Sequence, residues 1–405
     1  MIRKIQFENF MSLRNVTIDL KPLIVFIGSN GAGKSAIFKG LTILSKLLNG
    51  VPIRGPKGEF ITEGVVFDDI VWNGNSGLTI KFRVWFDGDA EEPGYTLELN
   101  KRGPGWNVSC EKIRAGDGWV EVDENHPFEH PTERGITRFH TPPLRATLRY
   151  LVNPFVNDSA ARPVIEPILQ LAQRFGQAYR YRPSAIDISN FVAPSTEPGR
   201  KIYVGENGYG LAAELQALQG SDRELFEQIE QAVCRLFPHI RAIGFKTDYQ
   251  GVRLSFRTAR SEDLIPAPQE SDGVLIATFL FWRLYTGNPS LKVCLEEPEN
   301  ALHAFLLAER FQALKQFAYR EDNRAVQLLV ATHSPEFLRA IKAHPTALWK
   351  EIRLVEFVAG QGTSVRGLAN YREAANLIEG YLAQVHESWK NVAEGWGPRE
   401  AGGNA

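Results

Sequence analysis

One octapeptide constrains this chain more than any other stretch: Gly28-Ser29-Asn30-Gly31-Ala32-Gly33-Lys34-Ser35. It fits the spacing G-x-x-x-x-G-K-[ST] of a phosphate-binding P-loop. Its neighbours agree with it. Leu23-Ile24-Val25-Phe26-Ile27 is a continuous apolar run, as a buried parallel strand requires. Downstream, Ile37, Leu41, Leu44 and Leu48 share one helical face, and Gly50 suits a C-cap. Glycines let backbone N–H groups approach a phosphate closely, and the following helix N-terminus adds positive potential. In such a loop Lys34 reaches the β- and γ-phosphates, and the Ser35 hydroxyl is placed to ligate Mg²⁺.

Length and composition narrow the rest. The 405 residues are enough for two or three domain-sized units. A 43% hydrophobic and 23% charged content is that of an ordinary globular protein. The net charge of −1 gives no overall basic field for nucleic acid, which leaves only a local patch to do that work. Cys110, Cys234 and Cys294 are widely spaced and read as reduced residues of a cytoplasmic protein, not as a disulfide framework or a zinc site. Met1 to Ile5 has a strand pattern and lacks the apolar core of a signal peptide. The longest apolar run, Leu275 to Trp282, falls far short of the ~20 residues that span a bilayer. A soluble protein without a membrane partner is expected.

Alternation at residues 4–8 and 16–20 predicts two strands before the P-loop strand. Residues 51–64 read as loop. Leu78 to Phe86, Tyr95 to Leu99, Val108 to Cys110 and Trp119 to Val122 predict an antiparallel meander. Prolines break up 123–200; within it Val164 to Phe175 reads as a helix interrupted at Pro167, and Arg180 to Arg200 as extended loop. Leu211 to Leu218 predicts a helix. Ser221 and Glu224 suggest a capping box for the next one. Val252 to Phe256 predicts a strand, Leu354 to Val358 a last strand, and Tyr371 to Leu382 a helix. Trp396 to Ala405 reads as a frayed Gly-rich tail. The expected division is 1–122 and 259–358 as two halves of one nucleotide-binding domain, 123–258 as an inserted central lobe, and 359–405 as a C-terminal helix and tail.

Three further stretches carry chemistry. Val293-Cys294-Leu295 runs into Glu296 and Glu297, which is what a Walker B strand needs: one carboxylate on Mg²⁺ and one to orient the attacking water. Gln327 to Ala331 is a second buried strand and ends in Thr332-His333-Ser334. Glu270-Ser271-Asp272-Gly273 leads into an apolar helix, Val274 to Tyr285, whose N-terminus suits an anion. Taken singly, an acidic strand end, a capped structural histidine and an ordinary N-cap account for each of these.

Together and in this order they resemble the ATP-binding-cassette ATPases of the SMC/RecF/OLD group, above all stand-alone bacterial RecF-like ATPases of the AAA-labelled kind. The matching motifs begin at Asn9 (Asn-Phe-x-Ser), Gly28, Ser271, Glu296 (Glu-Glu-Pro-Glu-x-x-Leu-His) and Thr332. Tyr179-Arg180-Tyr181, Gly205 to Gly208 and Leu211 to Ala213 are similar to that group's central lobe, and the resemblance spans roughly 1–340. It implies an α/β P-loop NTPase of the ABC/RecF-like head type, with an antiparallel β meander and a small helical insertion. Residues 28–33 and Lys34 would hold ATP, Ser35 and Glu296 Mg²⁺. Glu297 would be the general base and His333 the switch histidine at the γ-phosphate. Ser271, Asp272 and Gly273 would form the signature that meets nucleotide bound to a second subunit, in a head-to-tail dimer.

Departures from the pattern are visible. Transport cassettes usually have Asp where Glu296 stands, and His303 replaces their D-loop Asp. No residue in 60–90 suits the Q-loop glutamine. ATP over GTP rests on the resemblance and on the lack of Asn-Lys-x-Asp. Absent heptads disfavour an SMC arm. Only 72 residues follow His333, without Asp-x-Asp, which disfavours an OLD-type TOPRIM nuclease. Relatives act in recombination repair or phage defence, often beside a separate effector protein; a slowly hydrolysing ATP-bound scaffold that sequesters a partner is the alternative. For DNA, the sequence offers Arg174, Arg180 and Arg182 with Tyr179 and Tyr181, either as a phosphate-contacting, base-stacking patch or as a solvated edge with aromatic packing.

Overall fold

The computed structural model describes residues 1–49, 66–89, 91–102, 105–115, 118–123, 128–132, 135–139, 162–183, 186, 188–192, 204, 208–300, 315–321, 324–334, 338–339, 349–368, 370, 372–373, 375–380 and 382–383. The expectations for Gly50, for 51–64, for His303 and for the tail lie outside them.

In chain order, β1 (Ile2–Phe10) and β2 (Leu13–Asp19) form a hairpin, β3 (Leu23–Ile27) follows, and the P-loop opens α1 (Lys34–Leu48). Next come β4 (Ile80–Phe86), β5 (Tyr95–Arg102), β6 (Gly105–Ala115) and β7 (Gly118–Asp123), then a separate hairpin of β8 (Phe128–Thr132) and β9 (Gly135–Phe139). Helix α2 (Arg162–Phe175) leads to β10 (Ala178–Tyr181). Helices α3 (Leu211–Ser221) and α4 (Arg223–Leu236) precede the antiparallel trio β11 (Ile240–Asp248), β12 (Gly251–Thr258) and β13 (Ser261–Pro266). Then come α5 (Asp272–Tyr285), β14 (Lys292–Glu296), β15 (Gln327–Thr332), β16 (Ile352–Val358) and β17 (Gly362–Gly367).

Two six-stranded sheets organise these elements. One, in the order β2-β1-β4-β5-β6-β7, is antiparallel throughout. The expected meander is therefore continuous with the N-terminal hairpin. The other runs β10-β14-β15-β3-β16-β17; its first five strands are parallel and β17 returns antiparallel. Every residue of β3, β14 and β15 is buried, as expected of strands covered on both faces.

Alternation along these strands sorts the core into two clusters. Ile24, Phe26, Cys294, Leu329 and Ala331 face α1, α2 and the antiparallel sheet. Leu23, Val25, Ile27, Val293, Leu295, Leu328 and Val330 face α4 and α5. The P-loop helix and the helix that follows Ser271 thus cover opposite faces of the parallel sheet.

Several local expectations need correction. α2 runs through Pro167 unbroken. Burial of Ile165, Ile168, Leu171 and Phe175 outweighs the one hydrogen bond that proline cannot donate. The cap of α4 is Asp222, whose carboxylate accepts from the Leu225 N–H; Ser221 is the last residue of α3. Arg180 and Tyr181, expected in a loop, belong to β10 at the edge of the parallel sheet. Finally, β16 is followed by β17, so the expected last strand is the first arm of a hairpin.

Candidate nucleotide site

The sheet order places the carboxyl ends of β10, β14, β15 and β3 side by side. Register fixes the row: Tyr181 beside Leu295, Glu296 beside Ala331, Thr332 beside Ile27. Residues just past those positions, Arg182, Glu297, His333 and Gly28, therefore meet at one edge. Open α/β sheets bind ligands there.

The P-loop is tightly enclosed. Gly33 has φ +108°, and a Cβ on it would lie 2.0 Å from Thr363 Oγ1 and 2.7 Å from Ser12 Oγ. A Cβ on Gly28 would lie 2.1 Å from the Val355 carbonyl oxygen. Both glycines are thus required sterically, by β16, β17 and the β1–β2 turn. Thr363 Oγ1 stands 2.9 Å from both the Ala32 carbonyl oxygen and Ser12 Oγ, and the Thr363 N–H donates to Ser12 O at 2.8 Å. Asn9 and Met11 take positive φ values of 57° and 51°, the tight turn that presents Ser12.

Lys34 folds back over the loop. Its ammonium donates to the carbonyls of Gly28 at 2.7 Å and Ser29 at 2.9 Å. Burial lowers its pKa, and the carboxylates of Glu297, Glu299 and Glu296 oppose that shift. The ammonium is thus held in the anionic field where phosphate oxygens would replace carbonyls. Ser35, the second residue of α1, is exposed.

Glu296 is 2% exposed and gripped by Arg180, Nε to Oε1 at 2.9 Å and Nη2 to Oε2 at 2.8 Å. Glu297 has φ +48°, uncommon for a side chain without local compensation, and its N–H donates to Ala331 O at 2.8 Å. The turn aims its carboxylate outward, between Arg182 Nη2 at 3.4 Å and His333 Nδ1 at 3.4 Å. Behind them Thr332 Oγ1 donates to Glu299 Oε1 at 2.8 Å and accepts from the Ser334 N–H at 3.0 Å. Burial raises the Glu299 pKa.

Two family models match the chain: "AAA ATPase domain" over residues 1–131, and "AAA domain, putative AbiEii toxin, Type IV TA system" over 182–339. The first holds the P-loop, the second Ser271 to Gly273, the paired carboxylates and His333. Both matches are to AAA-type ATPase domains, which supports reading the chain as a P-loop ATPase of that kind. No curated protein matches this chain. Among solved structures it is similar to an SMC head bound to the C-winged helix domain of ScpA (TM-score 0.49, 13% identity, 91% of this chain and 97% of that one). It is also similar to the SMC head domain from Thermotoga maritima (0.37, 14%, 91% and 99%) and to an Smc head with an extended coiled coil bound to the C-terminal domain of ScpA derived from Pyrococcus furiosus (0.43, 12%, 93% and 98%).

Ser271, Asp272 and Gly273 stand apart from this row. Ser271 and Asp272 are exposed at the start of α5, and Ser271 makes no side-chain cap bond. Among the described residues no group of three or more His, Cys, Asp or Glu is arranged to hold a metal. The residues expected to hold Mg²⁺ bring a hydroxyl, Ser35, which is exposed, and a carboxylate, Glu296, which is buried. That sparse oxygen set fits Mg²⁺, which keeps waters and takes substrate phosphate as ligand. Among the described residues no helix is long and apolar enough to cross a membrane.

Of the two readings left open for these arginines and tyrosines, the base-stacking patch is not assembled, and the tyrosines pack instead. Tyr179 and Tyr181 are 6% and 1% exposed in the core under α5. Arg180 and Arg182 turn to Glu296 and Glu297, and Arg174 lies on Phe86 beside Asp89. The period-2 pattern Tyr-Arg-Tyr-Arg was the available signal: a strand with one apolar and one cationic face. Thr363 was also missed; Gly362 before an alternating Thr-x-Val is a weak sign of its strand.

Proposed function

We propose that this chain binds Mg²⁺·ATP at the 28–35 loop and hydrolyses it. Gly28, Ser29, Asn30, Gly31, Ala32 and Gly33 give backbone contacts to phosphate, Lys34 its charge, and Ser35 with Glu296 the metal ligands. Bound Mg²⁺ would supply neutralisation of phosphate charge. Glu297 orients and deprotonates the attacking water, and His333 contacts the γ-phosphate beside it. The observation that carries the reading is the row of strand ends that sets Lys34, Glu296, Glu297 and His333 at one sheet edge.

Ser271, Asp272 and Gly273 complete the site of a second copy in an ATP-dependent head-to-tail dimer. The exposure of this turn, on a helix covering the other face of the sheet, supports that role. Residues 1–122 and 259–358 act as the two halves of the head, with β17 (Gly362–Gly367) belonging to the second half and not to the C-terminal segment expected at 359–405; 123–258 form the lobe between them, with β10 reaching back into the sheet, and the chain after β17 is a C-terminal appendage. The dimer operates in the cytoplasm on DNA or on a separate effector protein. One matching family is described as a putative toxin of a toxin–antitoxin system, and an effector role suits that description. A slow, ATP-bound scaffold is the second reading. It is favoured by the arginines that already occupy both carboxylates.

Glu297→Gln tests the assignment. It keeps shape and loses the carboxylate, so phosphate release should fall by on the order of 10² or more while ATP still binds. Normal turnover in that variant would remove Glu297 as the base. Wild-type turnover with and without DNA separates the motor from the scaffold.

A further inference from the structure

The paired carboxylates at the end of β14 face two arginines, Arg180 in β10 and Arg182 just past it, and the two pairs differ. Arg180 makes a two-pronged contact to Glu296, whose side chain is 3% exposed. Arg182 makes one contact at 3.4 Å to Glu297 and is half exposed. A planar guanidinium matched to both oxygens fixes a carboxylate's plane as well as its position. A single, solvated contact fixes neither.

The strand that carries Arg180 is itself anchored from behind. On its other face Tyr181 accepts a hydrogen bond from Arg283 Nε of α5 at 3.0 Å, and the Arg283 guanidinium lies 4.3 Å from the Tyr179 ring centre. Tyr181 also packs edge-on against Phe279. In front, the parallel register sets Arg180 beside Cys294, two residues before Glu296 on the same face. The guanidinium therefore has a rigid base and a short reach.

We infer that Arg180 is a positioning residue for the metal-side carboxylate: it holds Glu296 in the one orientation from which it serves Mg²⁺, and takes no part in contacting nucleotide. This rests on the reading of Glu296 as a metal ligand. A carboxylate has lone pairs beyond the two that Arg180 engages, so the same oxygens remain able to accept from metal-bound water. Lysine at 180 would keep the charge and lose the fork.

The test reads Mg²⁺-dependent binding of a fluorescent ATP analogue, without turnover. Arg180→Met should raise the Mg²⁺ concentration for half-maximal binding by about tenfold, the usual effect of removing a partner of a metal ligand. Arg180→Lys should raise it severalfold, and Arg174→Met, on the neighbouring helix, should leave it unchanged. Glu296→Gln should raise it as well. Once Glu296 is Gln, adding Arg180→Met should raise it no further, because the arginine acts only through that carboxylate. A wild-type Mg²⁺ curve for both Arg180 variants would overturn the inference, and so would equal shifts in the presence and absence of Glu296. If Arg180→Met leaves a buried charge that prevents folding, the double variant removes both charges and keeps the comparison with Glu296→Gln alone. A wild-type curve for Glu296→Gln itself would instead remove the metal-side assignment beneath the inference, and the inference with it.

Discussion

The turns that open α1 and α5 both carry a glycine, and they are built in opposite ways. At the start of α1, Gly28 and Gly33 are pressed against β16, β17 and Ser12, and Lys34 lies over the loop. At the start of α5, Ser271 and Asp272 stand in solvent, and Ser271 does not cap the helix with its side chain. Both ends offer unsatisfied N–H groups and positive potential to an anion. Only the first brings a side-chain cation, carboxylates and a histidine to the same place. A helix N-terminus alone is a weak anion site; the surrounding strands turn one of the two into a nucleotide pocket.

The difference can be measured as the ATP affinity of an isolated subunit, variant by variant. Lys34→Ala should have the largest effect. If the ammonium exchanges its Gly28 and Ser29 carbonyls for two charge-assisted contacts to phosphate oxygens, each worth ~1.5–3 kcal/mol, their loss corresponds to a factor on the order of 10² or more. Near-normal affinity in equilibrium titration would show that the enclosed turn is not the phosphate site.

Gly33→Ala should come next. The methyl would meet Thr363 and Ser12, and the φ of +108° is unfavourable for alanine. Strain of about 1–3 kcal/mol implies a loss of roughly tenfold to a hundredfold in affinity, or an equivalent loss of stability by thermal melting. A wild-type profile in both would mean that the loop relaxes away from β17. Thr363→Val is milder: it keeps the shape and removes the hydroxyl beside the Ala32 carbonyl. At about 1 kcal/mol, affinity should fall around fivefold. An unchanged value would make β17 a cover and not a support.

The contrast also explains what was legible from sequence. The P-loop was readable because its residues are consecutive and its sterics local. The same holds for Glu296 and Glu297 at the end of an apolar run. The supports were not readable, because they arrive from far along the chain. Thr363 is 331 positions from Ala32, and Arg180 is 116 from Glu296. Strand order, and not spacing, makes those neighbours. Arg180 and Arg182 were noticed for their charge, and the sheet then directed that charge inward to carboxylates. Nothing local distinguishes such an arginine from one that meets a nucleic acid; the buried tyrosines between them do.

Ser271→Arg should have the smallest effect on this scale, within about twofold, and that small effect is the most informative of the series. The turn lies 237 positions after Lys34, so sequence distance does not say which copy's nucleotide it serves. Within one chain, α1 and α5 cover opposite faces of the parallel sheet. A bulky cation at Ser271 therefore has no route to its own P-loop except around the sheet edge. In a head-to-tail dimer the same cation would sit where a second copy's γ-phosphate must approach a helix N-terminus, and its bulk would prevent closure. Light scattering with and without ATP separates the cases. Glu297→Gln should accumulate as an ATP-dependent dimer, whereas Ser271→Arg should bind ATP, remain monomeric and fail to hydrolyse. Mixing Ser271→Arg with Lys34→Ala should restore at most one pairing, the intact P-loop of the first chain facing the intact turn of the second. If Ser271→Arg instead abolished ATP binding by the monomer, the exposed turn would belong to the same pocket as the enclosed one, and the contrast between them would fail.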